Sequence, residues 1–329
     1  MPRTRHPSTL STGLYEHSGR CYSVTLSSDR EPIVRMANDF HSALNRQTYS
    51  HTRAAVALSF NHVQFHHLRL ARMPENELIK AVRWKVSQES SLDQSAFTSD
   101  ICSVVESESK GDPVFDVVAV QADNTHIDRI CQQVITHSHT LAAIDTVPGA
   151  IARCFQDQEN PPASVNQITV VVFCENDRAW LLACVDGELG FVHPLTTTAA
   201  ASTDLQTNST VDGSLLTSNF DLVELLREIR AGLYYILERF GDTHHACVGT
   251  ILTVGNDEHD LLWTLNKCTG IEFRDLQSLI RPELQRCLIQ LPQGLNAGAV
   301  SIAFGMALHP ATLHPAKQPA EYNRRSAAA

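Results

Sequence analysis

Histidine and cysteine are the side chains here best able to do chemistry, sixteen of one and nine of the other. Their spacing decides what they can do. A zinc site needs ligands at short, fixed spacings from at least two places in the chain. The closest histidine groups are His66-His67, His137-x-His139 and His244-His245. His66 and His67 fall in a segment that reads as a strand, where neighbours point to opposite faces, so they do not share an ion. His137 and His139 lie at a predicted helix end, where cationic side chains are favoured. No metal site is expected. The cysteines (Cys21, Cys102, Cys131, Cys154, Cys174, Cys184, Cys247, Cys268 and Cys287) stand singly, without a C-x-x-C pair. An odd number at such spacing fits reduced, buried thiols better than disulfides or zinc. A serine nucleophile on an elbow would need G-x-S-x-G, which the sequence lacks. No catalytic residue is assigned.

Charge narrows the function classes. The 329 residues carry a formal net charge of -10 and no Lys/Arg-rich run, which argues against non-specific nucleic-acid binding. A hydrophobic content of 43% supports one large bilobal unit or two domains. Charged residues are 19%, so little disorder is expected. No apolar stretch approaches the roughly 20 residues of a membrane helix. The N-terminus has two arginines but no apolar core of a signal peptide, so a cytosolic protein is expected.

The elements that position any site read as α/β layers. Residues 1–12 read as a flexible arm and 311–329 as a disordered tail. Arg53–Ser59 and Val63–Leu70 read as adjacent strands around a Phe60-Asn61-His62 turn. Pro74 and two glutamates open a helix running to about Ser90, with Ile79, Val82 and Val86 as its apolar stripe and Trp84 on another face. A strand at Val114–Gln121, a helix at Asn124–Ser138, a strand at Leu141–Thr146 and a helix at Pro148–Phe155 follow. The Pro-containing stretch Gln158–Gln167 is the best domain boundary. Beyond it come a three-strand meander (Ile168–Cys174, Ala179–Val185, Leu189–Leu195) and a Ser/Thr-rich surface loop at 196–219. Then follow a strongly amphipathic helix at Asp221–Phe240, a strand at Ala246–Val254, a helix at Glu258–Cys268, a short strand near Ile271–Phe273 and a helix at Leu295–Leu308.

Several of these segments, in this order, resemble the PilM family of type IV pilus assembly proteins, which is related to MshI and to the cytoplasmic part of GspL. Residues 56–90 resemble the family's strand pair, Leu-Pro-x-Met-Pro segment and Glu-Leu-x-x-Ala-x-x-Trp helix, at Leu70, Met73, Pro74, Glu77, Leu78, Ala81 and Trp84. Leu141–Asp145 and Val147–Phe155 resemble the strand and helix that close that lobe. Residues 228–255 and 297–308 resemble the family's tyrosine-pair helix with its following strand, and its closing helix. The resemblance implies an actin-like fold, a duplicated ribonuclease H-like α/β architecture in two lobes. The first lobe would be 13–160, with a small α/β subdomain inserted at about 53–141. The second would be 168–310.

In such folds two β-turns hold the ATP phosphates, each with an Asp for the metal-bound water and glycines that let backbone N–H groups approach the phosphate. The matching turns here have lost those residues. In the first, Gly13 and Ser18 remain, but Tyr15 stands at the Asp and His17 at the glycine. In the second, Cys174 and Asn176 replace Asp and Gly. The nucleoside-packing Gly-Gly is Gly255-Asn256. These loops read as vestigial. No cofactor is expected, and ATP or ADP with Mg²⁺ would bind weakly at most. Glu175 or Asp177 could replace a carboxylate only with a register shift, which on a strand changes the face. The resemblance further implies a cytoplasmic scaffold, peripheral to the inner membrane, gripping the cytosolic tail of a PilN-like bitopic partner. The groove would lie near Leu70, Met73, Pro74, Glu77, Leu78 and Trp84. Alternatives are an active actin-like ATPase or sugar kinase with a shifted site, or a self-associating, polymerising actin-like protein.

Overall fold

The computed structural model describes residues 10–27, 30–45, 52–89, 96–109, 112–135, 140–155, 167–175, 178–185, 187–195, 222–241, 246–254, 259–274, 276–293 and 295–309. The chain divides into two compact units, Met1–Pro161 with Ile280–Ala329, and Pro162–Leu279. The Pro-containing stretch is thus the first crossing between them.

In the first unit, β1 (Leu10–His17), β2 (Arg20–Ser27) and β3 (Arg30–Ala37) form an antiparallel meander. Helix α1 (Phe40–Asn45) follows. Strand β4 (Thr52–Leu58) then pairs parallel to β1, and β8 (Thr140–Thr146) parallel to β4, giving the order β3-β2-β1-β4-β8. β4 is buried from Ala54 to Leu58, as expected of a parallel strand covered on both faces. One face of the sheet carries α1 and α3 (Asn124–Ile135), packed through Leu14, Cys21, Phe40, Leu44, Val56 and Ile130. The other carries α8 (Ala297–Ala307), whose residues from Gly298 to Ala307 are all buried. Asn296 caps α8 by accepting from the amide of Ala299. Helix α4 (Val147–Phe155) follows β8 and packs on α8.

Between β4 and β8 the chain builds a second, three-stranded antiparallel sheet in the order β5-β7-β6, from β5 (Val63–Ala71), β6 (Phe97–Ser109) and β7 (Asp112–Asp123). Helix α2 (Glu75–Glu89) lies on one face. Its buried stripe is Leu78, Val82 and Val86, one residue per turn, packed on Leu68, Val117 and Ala119. Each such side chain contributes roughly 1.5–3 kcal/mol.

The second unit repeats the first sheet's topology. Strands β9 (Gln167–Glu175), β10 (Arg178–Val185) and β11 (Glu188–Leu195) form a meander. β12 (Ala246–Val254) adds parallel to β9 and β13 (Glu272–Phe273) parallel to β12, in the order β11-β10-β9-β12-β13. Helix α5 (Leu222–Phe240) buries Leu225, Ile229, Leu233, Ile236 and Phe240, and α6 (His259–Thr269) packs beside it. The last helix before α8, α7 (Pro282–Ile289), belongs to the first unit.

Several expectations are corrected. Residues 10–12, read as part of an arm, begin β1 and are buried, because they pair with β2 and β4. The strands around Phe60–His62 do not pair. β4 stays in the five-stranded sheet, and a 3-10 turn sends β5 into the other one. The insertion is narrower than 53–141: β4, α3 and β8 pack in the core, leaving 63–123. Residues 280–307 do not belong to the second lobe, since α8 covers β1, β2 and β4 of the first. In α2 the stripe includes Leu78, while Ile79 is half-buried. The 196–219 loop and the 311–329 tail lie outside the described residues.

Candidate functional site

The first phosphate turn would lie where β1 meets β2. His17 pairs with Arg20, leaving a two-residue turn of Ser18 and Gly19. Both have positive φ, 50° and 70°, which is the type I′ hairpin that suits strand twist. β1 is a central strand, so its side chains alternate between two covered faces. Gly13 lies on the α8 face: a Cβ there would overlap the Ala303 carbonyl oxygen and the Ala307 amide nitrogen. This glycine therefore permits helix–sheet contact rather than approach of a phosphate. Tyr15 is on the same face, 0% exposed, opposite Tyr22 and beside Ala57. Its ring stacks on His17, with centroids 6.3 Å apart and planes 20° apart. His17 is 9% exposed, and its Nε2 is 3.0 Å from Ser18 Oγ. The positions expected for an acid and a glycine are thus filled by packed rings.

At the second turn, Cys174 is 3% exposed between Ala179 and Thr253. Glu175 is 8% exposed and pairs with Arg178 and Val254. Asn176, Asp177, Gly255 and Asn256 lie outside the described residues.

A carboxylate that sequence reasoning passed over sits at the junction of β8 and α4. Asp145 accepts from the Thr146 amide at 2.6 Å and from Arg153 Nη2 at 2.8 Å, with His309 Nε2 at 3.7 Å. Arg153 Nε also donates to the Gly305 carbonyl at 2.8 Å, which ties α4 to α8. Burial alone would raise the Asp145 pKa, but Arg153 and then His309 hold it below the ordinary carboxylate value. Burial pushes His309 down. This carboxylate is committed to an ion pair inside the fold.

The two crossings between the five-stranded sheet and the inserted one are held by a second cluster. His62 follows β4 and His126 follows β7, and their rings stack with centroids 3.5 Å apart and planes at 10°. Arg129 Nη2 lies 3.3 Å from His126 Nδ1 and 3.7 Å from Glu16 Oε2. A guanidinium can only donate, so it favours a neutral imidazole that accepts at Nδ1. Burial, then His62, then Arg129 push His126 down to about 4, and burial followed by Arg129 lowers His62.

The residues expected to meet a partner fall into two groups. Pro74, Glu77 and Trp84 are exposed, Trp84 at 60%. Leu70 and Met73 are half-buried against the insert's core. Leu78 is 5% exposed inside that core, so its role is to seat α2. Among the described residues there is no group of three or more His, Cys, Asp or Glu able to hold a metal ion. None of the nine cysteines forms a disulfide, and burial raises Cys102 and Cys154 to about 12, which leaves these two as inert thiols. No described helix is long and apolar enough to cross a membrane.

Two five-stranded sheets of identical topology, with α8 returning to the first, can be set against solved structures. A structure of the PilM–PilN type IV pilus biogenesis complex covers 94% of this chain and 100% of its own, with a TM-score of 0.64 and 16% identity. The fold is PilM-like and actin-like. The cytoplasmic domain of EpsL, an inner-membrane component of the type II secretion system of Vibrio cholerae, covers 91% of this chain and 95% of its own at a TM-score of 0.47 and 9% identity. A Bacteroides thetaiotaomicron protein with an actin-like ATPase fold covers 88% and 100% at a TM-score of 0.45 and 8% identity. No family model and no curated protein matches the sequence. Within the PilM-like fold, the three-stranded sheet with α2 is the insertion into the first lobe.

Proposed function

We propose that this chain is a cytoplasmic scaffold of a type IV pilus or related secretion machine. It holds the cytosolic tail of a PilN-like, membrane-anchored partner and hydrolyses no nucleotide. One observation carries the second half of this reading: Tyr15, which the resemblance sets against the first phosphate-turn acid, is fully buried. A buried phenol stacked on His17 offers neither a carboxylate for a metal-bound water nor a path for phosphate to the backbone. The PilM-like fold over nearly the whole chain supports the first half.

The tail is taken by the insert, along the exposed segment before α2 and its outer face. Pro74, Glu77 and Trp84 supply the contacts there, while Leu70, Met73 and Leu78 set the helix on its sheet. An extended tail suits such a surface because alternate side chains can enter pockets while the main chain makes hydrogen bonds. The position is peripheral to the inner membrane through that partner.

Calorimetric titration tests both halves. Mg²⁺–ATP should give no heat at millimolar concentration, and a peptide of the partner's cytosolic tail should bind. Glu77→Lys and Trp84→Ala should each weaken the peptide about tenfold without loss of fold. Micromolar ATP binding would overturn the reading of the turns as vestigial and direct attention to Glu175 or Asp177 as the acid. Intact peptide binding in both variants would remove the tail from this face.

A further inference from the structure

On the face of the first unit's sheet that carries α8, a cleft of about 840 Å³ opens between β2–β3 and α7–α8. That is within the size range of small-ligand sites. Its apolar walls include Leu26, Ile33 and Val34 from the strands and Phe304 and Leu308 from α8. Its charged groups are Arg281, Arg286, Glu31 and Glu283. The side chain of Arg281 is 10% exposed, and its Nη1 is buried without a hydrogen-bond partner. Glu283 Oε2 is likewise buried and without one, and it lies 3.8 Å from Arg281 Nε, beyond hydrogen-bonding range. A buried charged donor left unmet is costly. Arg281 lines the cleft, and a ligand oxygen there would give this unmet donor a partner.

Arg281 also stands at the N-cap of α7, where no side chain caps the first turn. The helix dipole there favours negative charge. Glu31 and Glu283 limit that charge, because they offset Arg281 and Arg286 and leave the cleft no formal net positive charge to hold a dianion such as phosphate. A single negative charge with an apolar body suits both the polar corner and the walls.

We propose that this cleft binds a monocarboxylate on an apolar body, its carboxylate on Arg281 and its body against Ile33, Val34 and Phe304. Glu283 competes for the same guanidinium and so sets the affinity. A free medium-chain acid and the C-terminal carboxylate of a short apolar peptide offer the same chemistry, and the site is separate from the proposed tail surface on the insert.

The test is calorimetric titration of the full chain with octanoate, octanamide, N-acetyl-Leu-Phe and its C-terminal amide. At least one acid should bind, and its amide about tenfold more weakly or not at all. Preference between octanoate and the peptide acid assigns the source. Arg281→Met should abolish binding, Ile33→Trp should block it by filling the cleft, and Glu283→Gln should tighten it about threefold. The last variant keeps the test decisive if Arg281→Met fails to fold. Equal binding of acid and amide, no binding of either acid at 10 mM (on the order of the weakest measurable affinity), or an affinity unmoved by Glu283→Gln would overturn the proposal.

Discussion

Tyr15 and Gly13 share the face of β1 that α8 covers. On the proposed reading, restoring an acid at position 15 does not restore a site. Tyr15→Asp places a carboxylate in a fully buried position, and it should cost about 3 kcal/mol or more in urea denaturation while leaving ATP binding absent. Gly13→Ala should cost on the order of 2–4 kcal/mol, because its Cβ meets the backbone of α8. Asp145 makes a separate prediction. Asp145→Asn leaves Arg153 without its counter-charge, and about 3 kcal/mol of stability should go with it. The folded pKa of Asp145 lies below its ordinary value of 3.8. Its contribution is therefore present above that value and is lost as pH falls through the folded pKa. The reading of Tyr15 as standing at an acid's position rests on the resemblance alone. The burial of Tyr15 was not legible in the sequence, because it depends on a helix some 290 residues away; nor was the Asp145 pair, whose Arg153 is held by the Gly305 carbonyl 152 residues on.

The insert and its hinges make their prediction at the scale of elements. His62 and His126 are both lowered, His126 from 6.5 to about 4. The unfolded chain therefore binds protons first as pH falls. Stability should be full above about pH 6.5, fall between about 6.5 and 4, and level off below that. Urea midpoints at pH 7.5, 6 and 4.5 would show the slope, and His126→Gln should flatten it. The groups facing the pair are Arg129, Glu16 and Asp123. Leu78→Ala should cost about 2–5 kcal/mol, since Leu78 is held between α2 and the sheet. α2 and α5 were legible because their apolar residues recur at helical spacing. β6 was not: its Ser-rich, acidic edge sequence, with a bulge between Ile101 and Ser103, carries little alternation. β3 and α7 were also missed, being short, polar and stabilised chiefly by neighbours.

At the scale of the whole molecule, α8 decides what can fold alone. It is buried from Gly298 to Ala307, and it covers β1, β2 and β4. A chain ending at Pro161 should therefore give a poorly dispersed amide spectrum, and a peptide of residues 280–309 added in trans should restore dispersion. A folded first unit without that peptide would remove α8 from its assigned role. The sequence by itself determined the α/β class, the order of most elements and the Pro-containing crossing. Those are carried by local periodicity, turn chemistry and residue identity, which act over a few positions. Only the tertiary structure decided that β4 and β5 part into different sheets, that 280–307 returns to the first unit, and that Tyr15 is sealed rather than presented. Each of these rests on which surfaces are buried against each other, and pairing between distant segments leaves no short-range signature in the chain.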